Sequence, residues 1–429
     1  MERRTFFKGI AAAAAAAPLL PDVAAGLAER LGTLGQDVAS ASNERALWQR
    51  VRREFRLHPG LVHLNCGSIG ATPRVVTDAL TAYLAELEGN PLANTWGGLG
   101  SEMEIVRAKG AEFIGAELDE IALTRNTTEG MNHVASGLDL QPGDEVLTTN
   151  HEHGGGMVCW QHLAHTRGVV VRCIKMPNPV RDAAQILQLV EDHLTPRTRV
   201  CSFCHIDTIT GLQMPLTAIA ALTQPRDILL VCDGAQAPGM LNVDVKALGV
   251  DTYASSSHKW MLAPKGTGLL YIRKEVQDRV RPVFTYSGYN AYSASSGTRN
   301  VPQIIAHGVA MEFHNTIGRP RIEARCRQLS AYARQRLAEI PQLTPITPPQ
   351  RELSSGIVSF SLTSGSHSEI VSALQKRDIF LKPAQGTYAY VEAAGVPKEN
   401  YNAIRISTHI FNDETDIDRA VEALQQVLG

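Results

Sequence analysis

A lysine and an aspartate follow two predicted strands at a spacing that could serve covalent catalysis. Asp233 ends the apolar run at 228–232, which predicts a buried strand closed by a glycine turn. A second short strand at 251–254 leads into small hydroxyl residues, a histidine and then Lys259, 26 positions after the acid. A lysine amine can hold an aldehyde as a Schiff base, and a carboxylate can keep an aromatic ring nitrogen protonated. The pair therefore indicates a site for a cofactor that carries both groups.

Pyridoxal 5′-phosphate (PLP) fits that description, because its protonated ring withdraws electrons from a bound substrate. The surrounding residues resemble the class V aminotransferase family of PLP enzymes, whose members carry Asp-x-x-Gln followed by Ser-x-His-Lys. Here the two motifs run from Asp233 to Gln236 and from Ser256 to Lys259. A surface lysine after an ordinary strand is the alternative, and the matched acid argues against it. The resemblance covers roughly residues 60–425 and implies an enzyme.

The order of the predicted elements favours an α/β fold. From about residue 120, short β-rich runs alternate with helical segments, as is typical of a mostly parallel sheet covered by helices on both faces. We expect a large PLP-binding domain over 60–307, with its sheet sandwiched by helices, and a smaller α+β C-terminal domain over 308–429. A long helix broken near Gly318 should open the small domain, and segment 42–59 is expected to pack on it.

The turn after the predicted strand at 121–124 opens a helix with Thr127 and Thr128. Free N–H groups and hydroxyls at a helix start can cradle a phosphate, although an ordinary threonine N-cap is the simpler alternative. The family resemblance implies that both threonines bind the cofactor phosphate. It implies the same role for Ser256 and His258, where ordinary loop hydrogen bonding is the alternative.

Two further turns are implied to contact the cofactor ring. His153 follows the strand at 145–149, at the carboxyl end where ligands bind in such sheets. In the resembling enzymes an aromatic or histidine at this position stacks on the pyridine ring. Thr208 resembles the position that reaches the phenolic oxygen of the cofactor, and Gln236 is expected to share that contact.

The resemblance also assigns residues that bind substrate and residues that cross between subunits. Arg405 begins an Arg-hydrophobic-Ser motif, and a bidentate guanidinium there would bind the substrate α-carboxylate. Asn65 lies in a glycine-rich segment that lines the substrate side in isopenicillin N epimerase-like members. Thr298 belongs to a Gly-Thr-Arg segment that family members extend into the partner's phosphate site. A homodimer with shared sites is therefore implied. A plain strand for Arg405 and glycine turns for Asn65 and Thr298 are the alternatives.

The N-terminus predicts an export signal. Arg3 and Arg4 are followed by two phenylalanines and, after Ile10, by seven alanines. This layout is typical of a bacterial twin-arginine signal peptide, and the apolar stretch is too short to span a bilayer. Cleavage could follow Ala25 or the triplet at 39–41, so that the signal lies within 1–41. The alternative is an alanine-rich helix with a basic start. The signal predicts transfer by the twin-arginine translocase to the periplasm, with the cofactor already loaded in the folded enzyme.

Composition excludes several classes of function. Lysine plus arginine (41) nearly balances aspartate plus glutamate (43), so no nucleic-acid partner is expected. Seven cysteines could form disulfides in an exported protein, but their spacing does not require them. Cys201 and Cys204 lie on a predicted strand and face opposite sides, which favours buried thiols over a redox or zinc pair. We predict no metal, because no carboxylate or cysteine completes a familiar ligand spacing with the remaining candidates, His151, His153, His162 and His165.

Within the family, the segments around Asn65, Thr298 and Arg405 most resemble the isopenicillin N epimerase-like branch. The exported, siderophore-associated members of that branch include a periplasmic enzyme that modifies the glutamyl group of pyoverdine. The resemblance then implies a siderophore-peptide or small amino-acid substrate, and oxidative decarboxylation of a glutamyl group to a succinamide. Which bond at the α-carbon breaks depends on which one lies perpendicular to the cofactor ring, and the sequence leaves this open.

Other functions remain open with the same cofactor pocket. An epimerase or racemase would need a second base, which the sequence does not assign; an aminotransferase and a C–S lyase are equally compatible. A cysteine desulfurase is disfavoured, because no cysteine follows Cys326. An inactive PLP-fold binding protein is the non-enzymatic alternative, and the joint presence of Lys259, Asp233 and Arg405 argues against it.

Overall fold

The computed structural model describes residues 21–281, 297–384 and 400–429. Its N-terminal elements are helices α1 (Pro21–Ser40) and α2 (Glu44–Arg52), strand β1 (Val62–His63), and helices α3 (Arg74–Gly89), α4 (Pro91–Trp96) and α5 (Gly98–Ile114). Helix α2 begins after Asn43, whose side chain accepts from the backbone N–H of Ala46 and so satisfies a donor at the helix start.

A seven-stranded sheet within the described residues forms the centre of the large domain. Its strands are β2 (Ile121–Thr124), β3 (Glu145–Thr149), β4 (Val170–Ile174), β5 (Thr198–Cys204), β6 (Leu229–Asp233), β7 (Thr252–Ser256) and β8 (Gly268–Ile272). Helices α6 (Thr127–Gly137), α7 (Gly154–Arg167), α8 (Ala183–His193), α9 (Leu216–Thr223) and α10 (Val245–Leu248) lie between them in the chain. The spatial order is β2-β8-β7-β6-β5-β3-β4.

Only β8 runs antiparallel to its neighbours among these seven strands; the other adjacent pairs are parallel. The inner strands are buried along their whole length, as expected for a sheet covered on both faces. The expected α/β fold with a mostly parallel sheet is therefore confirmed. Because parallel strands end at the same edge, the turns after β2, β3, β5, β6 and β7 converge there.

The C-terminal part consists of helices α11 (Val301–Ile317) and α12 (Arg319–Leu337), strands β9 (Leu343–Pro345) and β10 (Ile357–Leu362), helix α13 (His367–Gln375), strands β11 (Ile379–Phe380), β12 (Lys382–Ala384) and β13 (Ala403–Ser407), and helix α14 (Glu414–Leu428). Four of these strands form an antiparallel sheet in the order β12-β13-β10-β9. Strand β11 pairs in parallel with β1. The smaller α+β sheet region matches the expected fold class.

The long helix expected from residue 308 begins earlier, at Val301. Asn300 caps it by accepting from the N–H of Gln303, and Pro302 occupies its first turn, where no donor is lost. The expected break lies at Gly318, whose φ of 100° favours glycine. Helix α11 packs on α3 and α5 of the large domain. Residue 308, where the small domain was expected to begin, therefore lies inside a helix that contacts the large domain.

Helix α1 packs on the body of the protein. Leu34 is buried in the main core, and Arg30 forms a 2.6 Å ion pair with Asp78 of α3. The expected signal 1–41 therefore includes a helix with tertiary contacts, whereas Arg3 and Arg4 lie outside the described residues. In segment 42–59, Arg52 forms an ion pair of 2.7 Å with Asp416 of α14.

All seven cysteines are reduced thiols, and six are buried. Cys201 and Cys204 lie on β5, as the sequence predicts. No helix in the described ranges is long and apolar enough to cross a membrane.

Candidate active site

Asp233 and Lys259 lie at the converging strand ends. Asp233 is the last residue of β6, and Lys259 follows β7 by three residues. The Asp233 carboxylate accepts from the N–H of Ala235 at 2.9 Å through Oδ1, and no described residue donates to Oδ2. Burial raises the pKa of Asp233, and the positive charge of Lys259 partly offsets this. The two predicted residues thus lie near enough to interact electrostatically.

The Lys259 amine is poised between its charged and neutral forms. Burial lowers its pKa to about 8, the charge of Asp233 acts in the opposite direction, and the cations Arg405 and Lys382 lower it further. A substantial neutral fraction near physiological pH is what a nucleophilic lysine requires.

The turns that carry the predicted phosphate ligands contact each other directly. Ser256 ends β7, and its hydroxyl accepts from the N–H of Thr127 at 2.9 Å while sharing a 2.9 Å hydrogen bond with the Thr127 hydroxyl. Thr128 is exposed, and its hydroxyl lies so close to Gly155 of α7 that a Cβ there would clash. The two helix starts of α6 and α7 therefore meet at one point, with N–H groups and hydroxyls together.

His258 and Thr298 are placed differently. His258 is half-buried, its Nδ1 is buried without a hydrogen-bond partner in the described part of the chain, and burial lowers its pKa to about 4. Thr298 is exposed, and the next residue, Arg299, donates to the backbone oxygen of Leu123 at 3.1 Å. The exposed position leaves Thr298 accessible to a second subunit.

His153 caps α7, accepting from the N–H of Gly155 at 3.0 Å through Nδ1. Part of its ring reaches solvent, yet loss of water around it and the positive charges of Lys259, Lys382 and Arg405 lower its pKa to about 4. The ring is therefore neutral at physiological pH, a state suited to stacking on a positively charged pyridine ring.

Arg405, Thr208, Gln236 and Asn65 form one hydrogen-bonded group. The buried Arg405 guanidinium donates through Nη1 to the backbone oxygen and hydroxyl of Thr208, at 3.1 and 2.5 Å. Its Nη2 donates to Asn65 Oδ1 at 2.9 Å and to Ser68 at 3.0 Å. Gln236 donates to the Thr208 hydroxyl at 3.2 Å. Four residues that the sequence predicted separately thus meet in space.

Two glycines allow the Asn65 segment to approach the rest of the site. A Cβ on Gly67 would lie 3.0 Å from Gln236 Oε1 and 3.1 Å from Arg405 Nη2. A Cβ on Gly70 would overlap the backbone oxygen of Lys259. The glycine-rich segment is therefore explained by close approach to the lysine turn and to the guanidinium.

Several residues near the site were not predicted from the sequence. Glu152 is buried, accepts from the Thr149 hydroxyl and the Cys204 N–H, and has its pKa raised to about 8, first by burial and then by the charge of Asp233. His151 joins Asp207 at 3.0 Å and the Tyr401 hydroxyl at 2.7 Å. The positions of these residues depend on tertiary contacts, so local spacing gives no signal for them.

The donor set fits PLP. Asp233 Oδ2 lies 2.7 Å from where a Cβ on Gly156 would stand, so that only glycine leaves this oxygen open to a ring nitrogen. The Lys259 amine can hold an aldehyde, and the Thr127, Thr128, Ser256 and His258 turns offer donors to a phosphate. The Thr208 hydroxyl accepts two hydrogen bonds and keeps its own proton for a phenolic oxygen.

Comparison with known proteins agrees with this site. A family model described as Aminotransferase class-V matches residues 68–420. The chain belongs to this family and is a PLP-dependent enzyme.

The relatives differ in activity. Isopenicillin N epimerase from Amycolatopsis lactamdurans is 30% identical over 402 residues, covering 89% of this chain and 98% of that protein. A probable cysteine desulfurase from Methanothermobacter thermautotrophicus is 29% identical over 408 residues, covering 88% and 98%. A solved mutant of C-DES, a cystine C–S lyase, carries glycine covalently linked to its PLP cofactor. It matches with a TM-score of 0.77 at 26% identity, covering 87% of this chain and 98% of that one.

Proposed function

We propose that the enzyme breaks a bond at the α-carbon of an amino-acid group that presents both a free α-amine and a free α-carboxylate. The observation that carries this proposal is the buried Arg405 guanidinium, which is held in place by Thr208, Asn65 and Ser68 and lies near enough to Lys259 to lower the pKa of its amine. A planar guanidinium can bind a carboxylate in one orientation. Because all four Nη–H donors are engaged by protein acceptors in this structure, the substrate carboxylate would take the place of some of those acceptors.

Asp233, Lys259 and Arg405 have separate roles in the proposed reaction. Bound PLP supplies a ring that stabilises negative charge at the substrate α-carbon. Asp233 holds a proton on the ring nitrogen, and burial of its carboxylate strengthens that interaction. Lys259 accepts or returns a proton at the α-carbon through its amine, whose pKa is lowered to about 8. Arg405 fixes the carboxylate, and thereby decides which α-carbon bond lies across the ring.

For the reaction itself, we propose oxidative decarboxylation of the glutamyl group of the siderophore pyoverdine in the periplasm. The glutamyl group would be attached through its side-chain carbonyl, which leaves the α-amine and α-carboxylate free. The α-carboxyl group leaves as CO2, the α-carbon loses its single hydrogen and gains one oxygen, and the product is a succinamide whose amide nitrogen is the former amine. Dioxygen serves as the four-electron acceptor and is reduced, with one oxygen atom retained and the other released as water. The paired arginines of the leader support the periplasmic location.

Epimerisation is the second candidate, and the relation to isopenicillin N epimerase favours it. This reaction needs a second group that exchanges a proton on the face away from Lys259. The Tyr401 hydroxyl is a candidate, because it is hydrogen-bonded to His151, whose other ring nitrogen contacts Asp207. The lowered pKa of Asp207, which arises mainly from the neighbouring His151 against the effect of burial, keeps that carboxylate charged.

Persulfide chemistry is not favoured, although cysteine desulfurases are among the relatives. Burial raises the pKa of the Cys66 thiol well above the usual value, although the positive charges of the nearby Lys259 and Arg405 act to lower it. A nucleophilic cysteine needs the thiolate and access to substrate. Burial also raises the thiol pKa of five further cysteines, namely Cys159, Cys201, Cys204, Cys232 and Cys326.

We also propose a homodimer in which Thr298 of each chain completes the partner's phosphate site. The exposure of Thr298 to solvent supports this arrangement. The phosphate site that it would complete is the one where Thr127, Thr128 and Ser256 converge.

The proposed function is tested by spectroscopy of the holoenzyme. We expect Lys259→Ala to lose the absorption band of the covalently held cofactor, whereas Lys274→Ala, at an exposed lysine that pairs with Asp119, should keep it. In the wild-type enzyme, amino acids should shift the band and amines without a carboxylate should not. Equal shifts with both classes of compound would contradict the assignment of Arg405.

A further inference from the structure

Lys382 is the direct cross-strand neighbour of Arg405. In the antiparallel pair β12–β13, Lys382 is the Cα partner of Arg405. Directly opposed residues of such a pair place their Cβ atoms roughly 4.5–5.5 Å apart on the same face of the sheet. Since Arg405 points from this face to Thr208 and Asn65, Lys382 leaves the sheet on the side of the site.

The charge of Lys382 acts on the catalytic residues. It lowers the pKa of Lys259 and of His153, so its ammonium lies within electrostatic range of both. Burial and the charge of Arg405 lower the pKa of Lys382 itself. The site therefore contains a second cation beside the guanidinium.

No acidic side chain of the described ranges pairs with Lys382, which is half-buried and makes no hydrogen bond within those ranges. Two like charges directly opposite each other on a sheet are unfavourable, and partial burial increases the cost. Arg405, in contrast, makes four hydrogen bonds to neighbouring protein atoms. The pair thus comprises a guanidinium fixed by protein and an ammonium whose direction is not set by any acceptor among the described residues.

We propose that Lys382 binds a second anionic group of the substrate, in addition to the α-carboxylate at Arg405. This inference rests on the proposed function, because it takes the α-carboxylate to lie at Arg405. The substrate class is then an amino-acid group whose side chain, or whatever is attached to that side chain, carries a carboxylate or another anion. Lys382 sets this specificity through charge, while the flexible lysine stem allows the second anion to stand at more than one distance.

Matched pairs of ligands test the proposal on the holoenzyme. Glutamate and glutamine differ only in the side-chain charge, and γ-glutamylglycine and γ-glutamyl methylamide differ only in a carboxylate further out. Affinity is measured by titrating the shift of the cofactor absorption band, a readout independent of turnover. In at least one pair the charged member should bind about ten- to a hundredfold more tightly, as expected for a hydrogen bond to a charged group.

Variants of Lys382 show whether the lysine binds the second anionic group or the α-carboxylate. Lys382→Met should remove the preference for the charged member, Lys382→Arg should keep most of it, and Lys376→Met, at an exposed lysine of the same domain, should leave it intact. Equal binding of both members of both pairs by the wild-type enzyme would overturn the proposal. So would an equal loss of affinity for both members in Lys382→Met, which would place Lys382 on the α-carboxylate.

Two further outcomes distinguish a failure of the role of Lys382 from a failure of the proposed function. Loss of bound cofactor from Lys382→Met would assign the lysine to the cofactor and overturn the proposal. If none of the four ligands shifts the band, the proposed function fails as well; if they shift it without regard to the second charge, only the role of Lys382 fails.

Discussion

Asn65 and Arg405 are joined by a 2.9 Å hydrogen bond across 340 positions of the chain. The amide oxygen of Asn65 accepts from Nη2 of the guanidinium, and Gly67 lies against the same nitrogen. This contact connects the N-terminal turn of the large domain to the central strand pair of the small sheet. If Arg405 binds the substrate carboxylate, as we propose, that group is recognised where both parts of the fold meet.

Arg405→Lys should weaken substrate binding and turnover strongly while leaving the spectrum of the bound cofactor unchanged. An ammonium cannot make two parallel hydrogen bonds to a carboxylate, and the loss in a partly dry site costs about 2–4 kcal/mol. The measurement is kcat/KM with an amino-acid substrate, beside the cofactor spectrum. Arg107→Lys is the control, since Arg107 is buried and binds the backbone oxygen of Ile121 outside the site. Wild-type efficiency in Arg405→Lys would exclude a carboxylate at this residue.

Uptake of PLP by the cofactor-free enzyme should accelerate as pH rises, with a midpoint near pH 8, and should level off above that pH. The neutral amine of Lys259 is the reacting form, and its pKa is lowered from 10.5 to about 8. Because the charge of Asp233 raises that pKa, Asp233→Asn should move the midpoint to lower pH. Stopped-flow absorbance across the pH range measures both. A rate that still rises well beyond pH 9 in the wild-type enzyme would show an unperturbed lysine.

Hybrid dimers should reveal whether Thr298 serves its own site or that of the partner. Lys259→Ala and Thr298→Asp should each be inactive, the second because a carboxylate there repels the cofactor phosphate. If Thr298 completes the partner's site, a hybrid dimer of the two variants has one site with both defects and one intact site. Activity should then return on co-expression. Absence of any recovered activity in purified hybrid dimers would place Thr298 in its own chain's site, and full activity of Thr298→Asp alone would place it outside both.

The mature N-terminus of the exported protein should lie before Leu27, so that cleavage after Ala25 is favoured over the triplet at 39–41. Helix α1 contributes the buried Leu34 and the Arg30–Asp78 ion pair. Burial of a leucine side chain stabilises by roughly 1.5–3 kcal/mol. Deletion through residue 41 should therefore lower Tm, and deletion through residue 25 should not.

Export itself is checked by fractionation. The double variant Arg3→Lys and Arg4→Lys should remain folded and active in the cytoplasm, whereas the unaltered protein should be recovered from the periplasm with the short leader removed. N-terminal sequencing of the periplasmic form gives the cleavage position. Unchanged periplasmic recovery of the double variant would mean that the paired arginines are not an export signal.

The sequence predicted the residues whose roles depend on local context. Asp233 and Lys259 stand at the ends of apolar runs, and Thr127 stands at a helix start, so strand and helix patterns were enough to place them at one edge of the sheet. The family resemblance added Arg405 and Asn65, which no local pattern distinguishes from a strand and a turn.

Residues that act through tertiary contacts were not predicted. Lys382 has no motif; its significance comes from its register opposite Arg405. Glu152 directly precedes the predicted His153, but its raised pKa depends on burial and on Asp233 from a distant strand. The start of α11 at Val301 was also missed, because the Asn300 cap gives a weaker signal than the glycine at the other end.

Product analysis by mass spectrometry tests the central claim most directly. Purified holoenzyme is incubated in air, in D2O, with a glutamyl group linked through its side-chain carbonyl as an amide. The account predicts loss of the α-carboxyl carbon with gain of one oxygen at the amine-bearing carbon, and Lys259→Ala should give no product. Inverted configuration with deuterium at the α-carbon, and no carbon lost, would favour the epimerase instead. Recovery of the substrate with its mass, configuration and α-hydrogen all unchanged would contradict action at the α-carbon of such a group.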